Sequence, residues 1–229
     1  MADEAQAQAA LATATSVAGV FLVGSDGAWF AGGQLLALEH SASEPVVVAD
    51  EEGGQVMRIA TEYGPIPSAH TMAATMTPAQ VEILSYQRGL DMGRLGLNMD
   101  LAPDADLYNP SSTVIGDRSW SSNPRTVITY AAAFEAGLHR AGIAATIKHF
   151  PGHGNSTGDS HAGVVYTPPY SYMLTHDLLP FDALAPTTDA VMVGHLDVPG
   201  LTDPGLPASL SPVVMRHATQ QDQQLRDDR

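Results

Sequence analysis

Ala144-Ala145-Thr146-Ile147-Lys148-His149-Phe150-Pro151-Gly152-His153-Gly154-Asn155-Ser156-Thr157-Gly158-Asp159-Ser160-His161 is the stretch on which the reading of this chain turns. Its first four residues are a short apolar run of the kind a buried parallel strand uses, and Pro151 with three glycines then breaks regular structure. The stretch reads as a strand end opening into a loop. Within that loop stand one lysine, three histidines and one aspartate. Functional side chains concentrate on loops held by a rigid scaffold, and glycine gives such loops turns that other residues cannot enter.

Each of these side chains has a plain reading beside the chemical one. His149 or His153 alone reads as a hydrogen-bonded structural histidine. Asp159 and His161 are a stronger signal, because a carboxylate two residues from an imidazole can accept its N–H, fix its tautomer and raise its basicity, as proton transfer requires. A metal site is a third reading, since His149, His153, Asp159 and His161 are all ligand types. Against it, Pro151 and Gly152 keep His149 and His153 from sharing a helical face as the histidines of zinc proteases do.

Working outward, Val17 to Val23, Pro45 to Asp50, Leu97 to Ala102 and Ala190 to His195 read as further buried strands, so that the run before the loop is the fourth of five. Helices fall between them. Met1 to Thr15 is alanine-rich with an acidic start, Gln34 to His40 suits a short helix, and Thr77 to about Leu95 begins with a threonine cap and Pro78. Asn123 caps another that runs through Leu138 to a stop at Gly142. Strands alternating with helices predict a parallel α/β architecture. Acidic residues gather where strands stop, at Asp50-Glu51-Glu52 and at Asp104 and Asp106. In an α/β barrel those ends form the active face, although a solvated acidic turn has the same sequence.

Composition narrows the partners. A formal charge of -15 disfavours nucleic acid and anionic membrane surfaces, whose binding depends on clustered Lys and Arg. There is no cysteine, so neither disulfides nor thiolate chemistry enter. No stretch reaches the ~18 apolar residues of a membrane span, and the acidic N-terminus lacks the basic start of a secretory signal. The expectation is one cytoplasmic domain spanning 1–229, with 217–229 a polar tail outside its core, no metal and no cofactor.

The run from Lys148 to His161 closely resembles the signature of family three glycoside hydrolases, in particular their beta-N-acetylhexosaminidase branch, written K-H-F-P-G-H-G followed by D-S-H. Other segments resemble the same family: Asp50 to Arg58 its D-x-E-G-G-x-V-x-R, Ile115 to Trp120 its I-G-D-R-S-F loop, Leu178 to Phe181 its L-x-P-F, Ala190 to His195 its V-M-x-x-H-I and Pro207 to Ser211 its P-A-S-L-S. The resemblance covers roughly 17–215. It implies a (β/α)8 TIM-type barrel, here incomplete, with about five βα units matching the second to sixth strands of the family, the first lying before Met1 and the seventh and eighth after Arg229. It also implies substrate-binding roles for Asp50, Arg58, Arg118, Lys148, His149 and His195. Asp159 and His161 inherit the general acid/base dyad.

The activity implied is removal of terminal N-acetylglucosamine from peptidoglycan fragments or chitooligosaccharides by a retaining mechanism. The family's nucleophile sits in a seventh-strand G-V-x-x-S-D-D-L segment that has no counterpart here, since Asp227-Asp228 lacks an apolar strand around it. The alternative is therefore a sugar-binding relative or fragment without hydrolysis. A five-stranded piece of a closed barrel is also expected to self-associate through its free edges.

Overall fold

In the computed structural model, which describes residues 18–24, 30, 33–39 and 45–224, a curled parallel sheet carries the strand order β1-β2-β3-β4-β5. The strands are β1 (Gly19–Leu22), β2 (Val46–Ala49), β3 (Met99–Asp100), β4 (Ala144–Phe150) and β5 (Ala190–Val193). Each was expected from its apolar run. The N-terminal helix expected over Met1 to Thr15 lies outside the described residues.

Register follows the chain in order. Val20 pairs with Val47, Ala49 with Asp100, Asp100 with Ala145 and Ile147 with Val191, so the strand C-termini line up along one edge of the sheet. β3 is shorter than the expected 97–102, but its backbone continues to bridge: Asn98 N–H donates to Val47 O at 3.0 Å and Leu101 N–H to Ala49 O at 2.9 Å. The Asn98 side chain holds the entry to β2 by accepting from Val47 N–H at 2.8 Å and donating to Pro45 O at 3.0 Å.

The helices are α1 (Gln34–Glu39), α2 (Ala60–Tyr63), α3 (Ala69–Thr75), α4 (Pro78–Arg94), α5 (Pro124–Arg140), α6 (Tyr170–Met173), α7 (Leu178–Leu184) and α8 (Pro212–Gln224). Local chemistry sets their starts. Thr77 and Gln80 form a reciprocal capping box ahead of α4, and Asn123 Oδ1 accepts from Arg125 N–H at 2.9 Å ahead of α5. α4 and α5 lie against each other, and their close approach needs Gly137, where an added Cβ would sit 1.9 Å from Ser85 Oγ. Phe134 on α5 reaches the ring of Trp120, while Phe150 at the end of β4 meets Phe181 of α7 edge-on at 5.6 Å. All three phenylalanines are buried in the core, and truncating any of them to alanine costs about 3–5 kcal/mol at such sites.

The stretch 217–229, expected to be a tail outside the core, begins inside α8, and Ala218 is buried against the core. No helix among the described residues is long and apolar enough to cross a membrane.

Candidate active site

The aligned strand ends bring together side chains far apart in sequence. Lys148, the fifth residue of β4, is buried. Its Nζ donates to Asp50 Oδ1 at 2.7 Å and to Glu52 Oε1. Glu52 also takes a bidentate pair from Arg118, whose Nε and Nη2 donate to its two oxygens at 2.8 Å each. This fork fixes the guanidinium plane as well as its distance. Arg58 closes the group by reaching Asp50 Oδ2 at 3.5 Å.

Two local devices place these residues. Past β2 the chain turns at Gly53, whose φ of 95° and a Cβ position 2.3 Å from Pro67 O leave no room for a side chain. The buried Glu51 beneath accepts from the N–H groups of Arg58 and Ile59 at 2.6 and 3.1 Å, which anchors Arg58. On β4 the pairing with β5 shifts register between Lys148 and Phe150. Around that irregularity the neighbouring Lys148 and His149 both enter the strand-end network, Lys148 at Asp50 and Glu52 and His149 at Asp106, although successive side chains of a regular strand face opposite ways.

His149 extends the network through a second acidic pair. Its Nδ1 lies 2.8 Å from Asp106 Oδ2, and Asp106 Oδ1 accepts from His153 N–H at 2.6 Å. Asp104 Oδ1 accepts from Asp106 N–H at 2.8 Å, and Trp120 Nε1 donates to Asp104 O at 3.0 Å.

Burial and charge then distribute the protons. Burial works against an ionised Glu52, but Lys148 and Arg118 outweigh it and hold that carboxyl at about 2. Burial likewise opposes charge on Lys148, and Glu52 and Asp50 raise it regardless. His149 is driven the other way, down to about 3, by burial first and by the nearby Lys148 and Arg118 cations. Burial and then the Asp106 charge raise Asp104 to about 8. Near neutrality the site thus holds an anionic Glu52, cationic Lys148 and Arg118, a neutral imidazole and a protonated Asp104.

Of the residues singled out in the sequence, Asp50, Arg58, Arg118, Lys148 and His149 form this one network. Asp159 and His161 pair with each other. The His161 backbone N–H and Nδ1 both meet Asp159 Oδ1 at 2.9 Å. Their loop turns outward, leaving the His161 side chain 85% exposed. His195 is exposed as well, with Nδ1 2.6 Å from Ser209 Oγ. An open cavity of about 430 Å³ has both His161 and His195 in its wall, together with Val165, Asp197 and Pro207. The metal reading changes its members: among the described residues the grouped ligand atoms belong to Asp104, Asp106 and His149, without His153, Asp159 or His161.

Glu52, Asp104 and Asp106 are the site residues that no role was expected for. Their one signal in the sequence is acid at a strand end.

The family description "Glycosyl hydrolase family 3 N terminal domain" matches residues 2–226. The chain belongs to that family. It is 45% identical over 215 residues to the beta-hexosaminidase LpqI of Mycobacterium tuberculosis, covering 91% of this chain and 55% of that protein. A solved glycosyl hydrolase of family 3 from Mycobacterium smegmatis superposes with a TM-score of 0.85 at 42% identity, over 93% of this chain and 66% of that one. NagZ from Neisseria gonorrhoeae, solved with N-trifluoroacetyl-D-glucosamine, gives 0.80 at 25% identity over 96% and 68%. This family 3 chain therefore spans little more than half the length of its curated relative, and its sheet is an incomplete barrel of their type.

Proposed function

We propose that the strand-end network is the sugar-binding face of a beta-N-acetylhexosaminidase-type glycosidase, and that Asp159 and His161 are its acid/base dyad. The observation that carries the reading is the convergence of Asp50, Arg58, Lys148, His149 and Arg118 at the C-terminal ends of β2, β4 and the β3–α5 connection, the end at which barrel enzymes bind their substrates. Names of relatives support the same activity. Alternating cations, carboxylates and a neutral imidazole suit a polyhydroxylated neutral ligand, which both donates and accepts hydrogen bonds. The substrate class is a terminal N-acetylglucosaminide in peptidoglycan fragments or chitooligosaccharides, and the route is a retaining double displacement in which His161 protonates the leaving oxygen. The cytoplasmic placement expected from the sequence belongs to the proposal and is tested by cell fractionation.

One observation favours binding without turnover for these 229 residues taken alone. A retaining nucleophile must be ionised and free to reach the anomeric carbon. Here Glu52 is clamped by Arg118 and Lys148, Asp106 serves His149, Asp104 is protonated, and Asp50 is held by Lys148 and Arg58. Calorimetric titration with N-acetylglucosamine should show binding that is lost in Asp50→Ala, alongside hydrolysis of an aryl N-acetyl-beta-glucosaminide no faster than a blank. An affinity unchanged in Asp50→Ala would refute the sugar site, and turnover well above the blank would reveal a nucleophile among these residues.

A further inference from the structure

His149 has partners at opposite ends of its ring. Asp106 Oδ2 lies 2.8 Å from Nδ1, and Arg118 Nη2 lies 3.4 Å from Nε2. A guanidinium only donates, so a hydrogen bond from Arg118 requires Nε2 to be unprotonated. The Asp106 end makes the same demand. Its Oδ1 accepts from His153 N–H at 2.6 Å and its Oδ2 from the backbone N–H of His149 at 3.3 Å. A carboxyl with both oxygens accepting is held as an acceptor and needs the proton on Nδ1. The neighbouring Asp104 has the free oxygen instead: its Oδ2 is buried without a hydrogen-bond partner.

A cation held by Asp104, Asp106 and His149 is the competing reading, because their ligand atoms lie within 4.8 Å of one another. Charge opposes it. The Arg118 guanidinium stands 3.9 Å from Asp104 Oδ2, and Lys148 shares Glu52 with that arginine.

We propose that Asp106 is a positioning residue that fixes His149 with its proton on Nδ1, so that Nε2 faces the sugar as an acceptor and selects a hydroxyl able to donate. This rests on the reading of the network as an amino-sugar site. Asp106 is fully enclosed while the His149 side chain is 16% exposed, so the carboxylate acts only through the ring. The Arg118 contact at 3.4 Å is long for a hydrogen bond, and a hydroxyl can take its place at Nε2 without displacing a short bond. The cations of the site donate and Asp50 accepts with a charge; His149 adds a neutral acceptor, which draws a hydroxyl in preference to a further cation.

The test has two arms, both on the purified chain. Long-range proton–nitrogen spectra of the ligand-free protein, with the ring assigned by its loss in His149→Gln, should show a protonated Nδ1 and an acceptor-type Nε2. A ring protonated on Nε2 overturns the proposal without any variant of Asp106. In Asp106→Asn, whose amide can donate to Nδ1, the ring should switch to Nε2–H; a merely structural Asp106 would lower the folded fraction and leave the tautomer of the folded molecules as it was. The second arm titrates N-acetylglucosamine and its monodeoxy analogues. Wild type should bind one analogue roughly tenfold more weakly than the parent sugar, and that ratio should collapse towards one in Asp106→Asn. A ratio that persists overturns the proposal. Failure of wild type to bind any of these sugars overturns the amino-sugar reading and the facing of Nε2 to it, while the ring spectra still decide whether Asp106 sets the tautomer.

Discussion

Glu52→Gln removes one charge and almost no volume, which isolates the electrostatic part of the network. In the fold Lys148 and Arg118 hold the Glu52 carboxyl at about 2 against an ordinary 4.5. A carboxyl so depressed stabilises the folded state above its unfolded value and loses that contribution as the pH falls towards the folded one. The difference corresponds to about 3 kcal/mol above pH 5, shrinking to about 1 kcal/mol near pH 3. Removing one partner of a buried ion pair costs a comparable 3–5 kcal/mol by the uncompensated charge it leaves. Urea titrations of wild type and Glu52→Gln, followed by far-ultraviolet circular dichroism at low protein concentration, should therefore give curves well separated at pH 7 that approach each other towards pH 3. A separation below about 1 kcal/mol at pH 7, or one that does not change with pH, would refute the assignment of Glu52 as the ionised clamp of Lys148 and Arg118.

The buried Glu135 of α5 should behave in the opposite sense. Burial raises it to about 7 despite help from Thr188, His139 and Thr187, so its stabilising protonated form is kept below pH 4.5 and lost as the pH passes 7. Glu135→Gln should match wild type at pH 4 and exceed it by up to about 3 kcal/mol at pH 8, and equal stability at pH 8 would show that the carboxyl finds a charge partner. β5 pairs only with β4 among the described residues, and its four residues are half-buried. Light scattering should accordingly show a mass that rises with concentration, and a monomer of constant mass would count against an open sheet edge. In a chain extended to full barrel length, His161→Ala should slow substrates with poor leaving groups far more than activated aryl glycosides. Equal losses on both would remove the acid/base role.

The sequence by itself determined what depends on neighbours along the chain. The apolar runs became β1 to β5, Thr77 and Asn123 became helix caps, and Asp159 paired with His161 because their spacing of two residues in the loop brings them within reach. The alternation of strand and helix, with the Lys148 to His161 motif, was enough for the fold class and the family. Only the tertiary structure decided which acids serve which bases in the strand-end network. Lys148 meets Asp50 across 98 positions, Arg118 meets Glu52 across 66 and His149 meets Asp106 across 43. Nothing local distinguishes Glu52 or Asp106 from a solvated acid at a strand end. Their protonation was equally hidden, because it follows from burial and from charges that the curled sheet brings alongside: the same loss of water that lowers His149 raises Asp104, and only contact with two cations keeps Glu52 ionised.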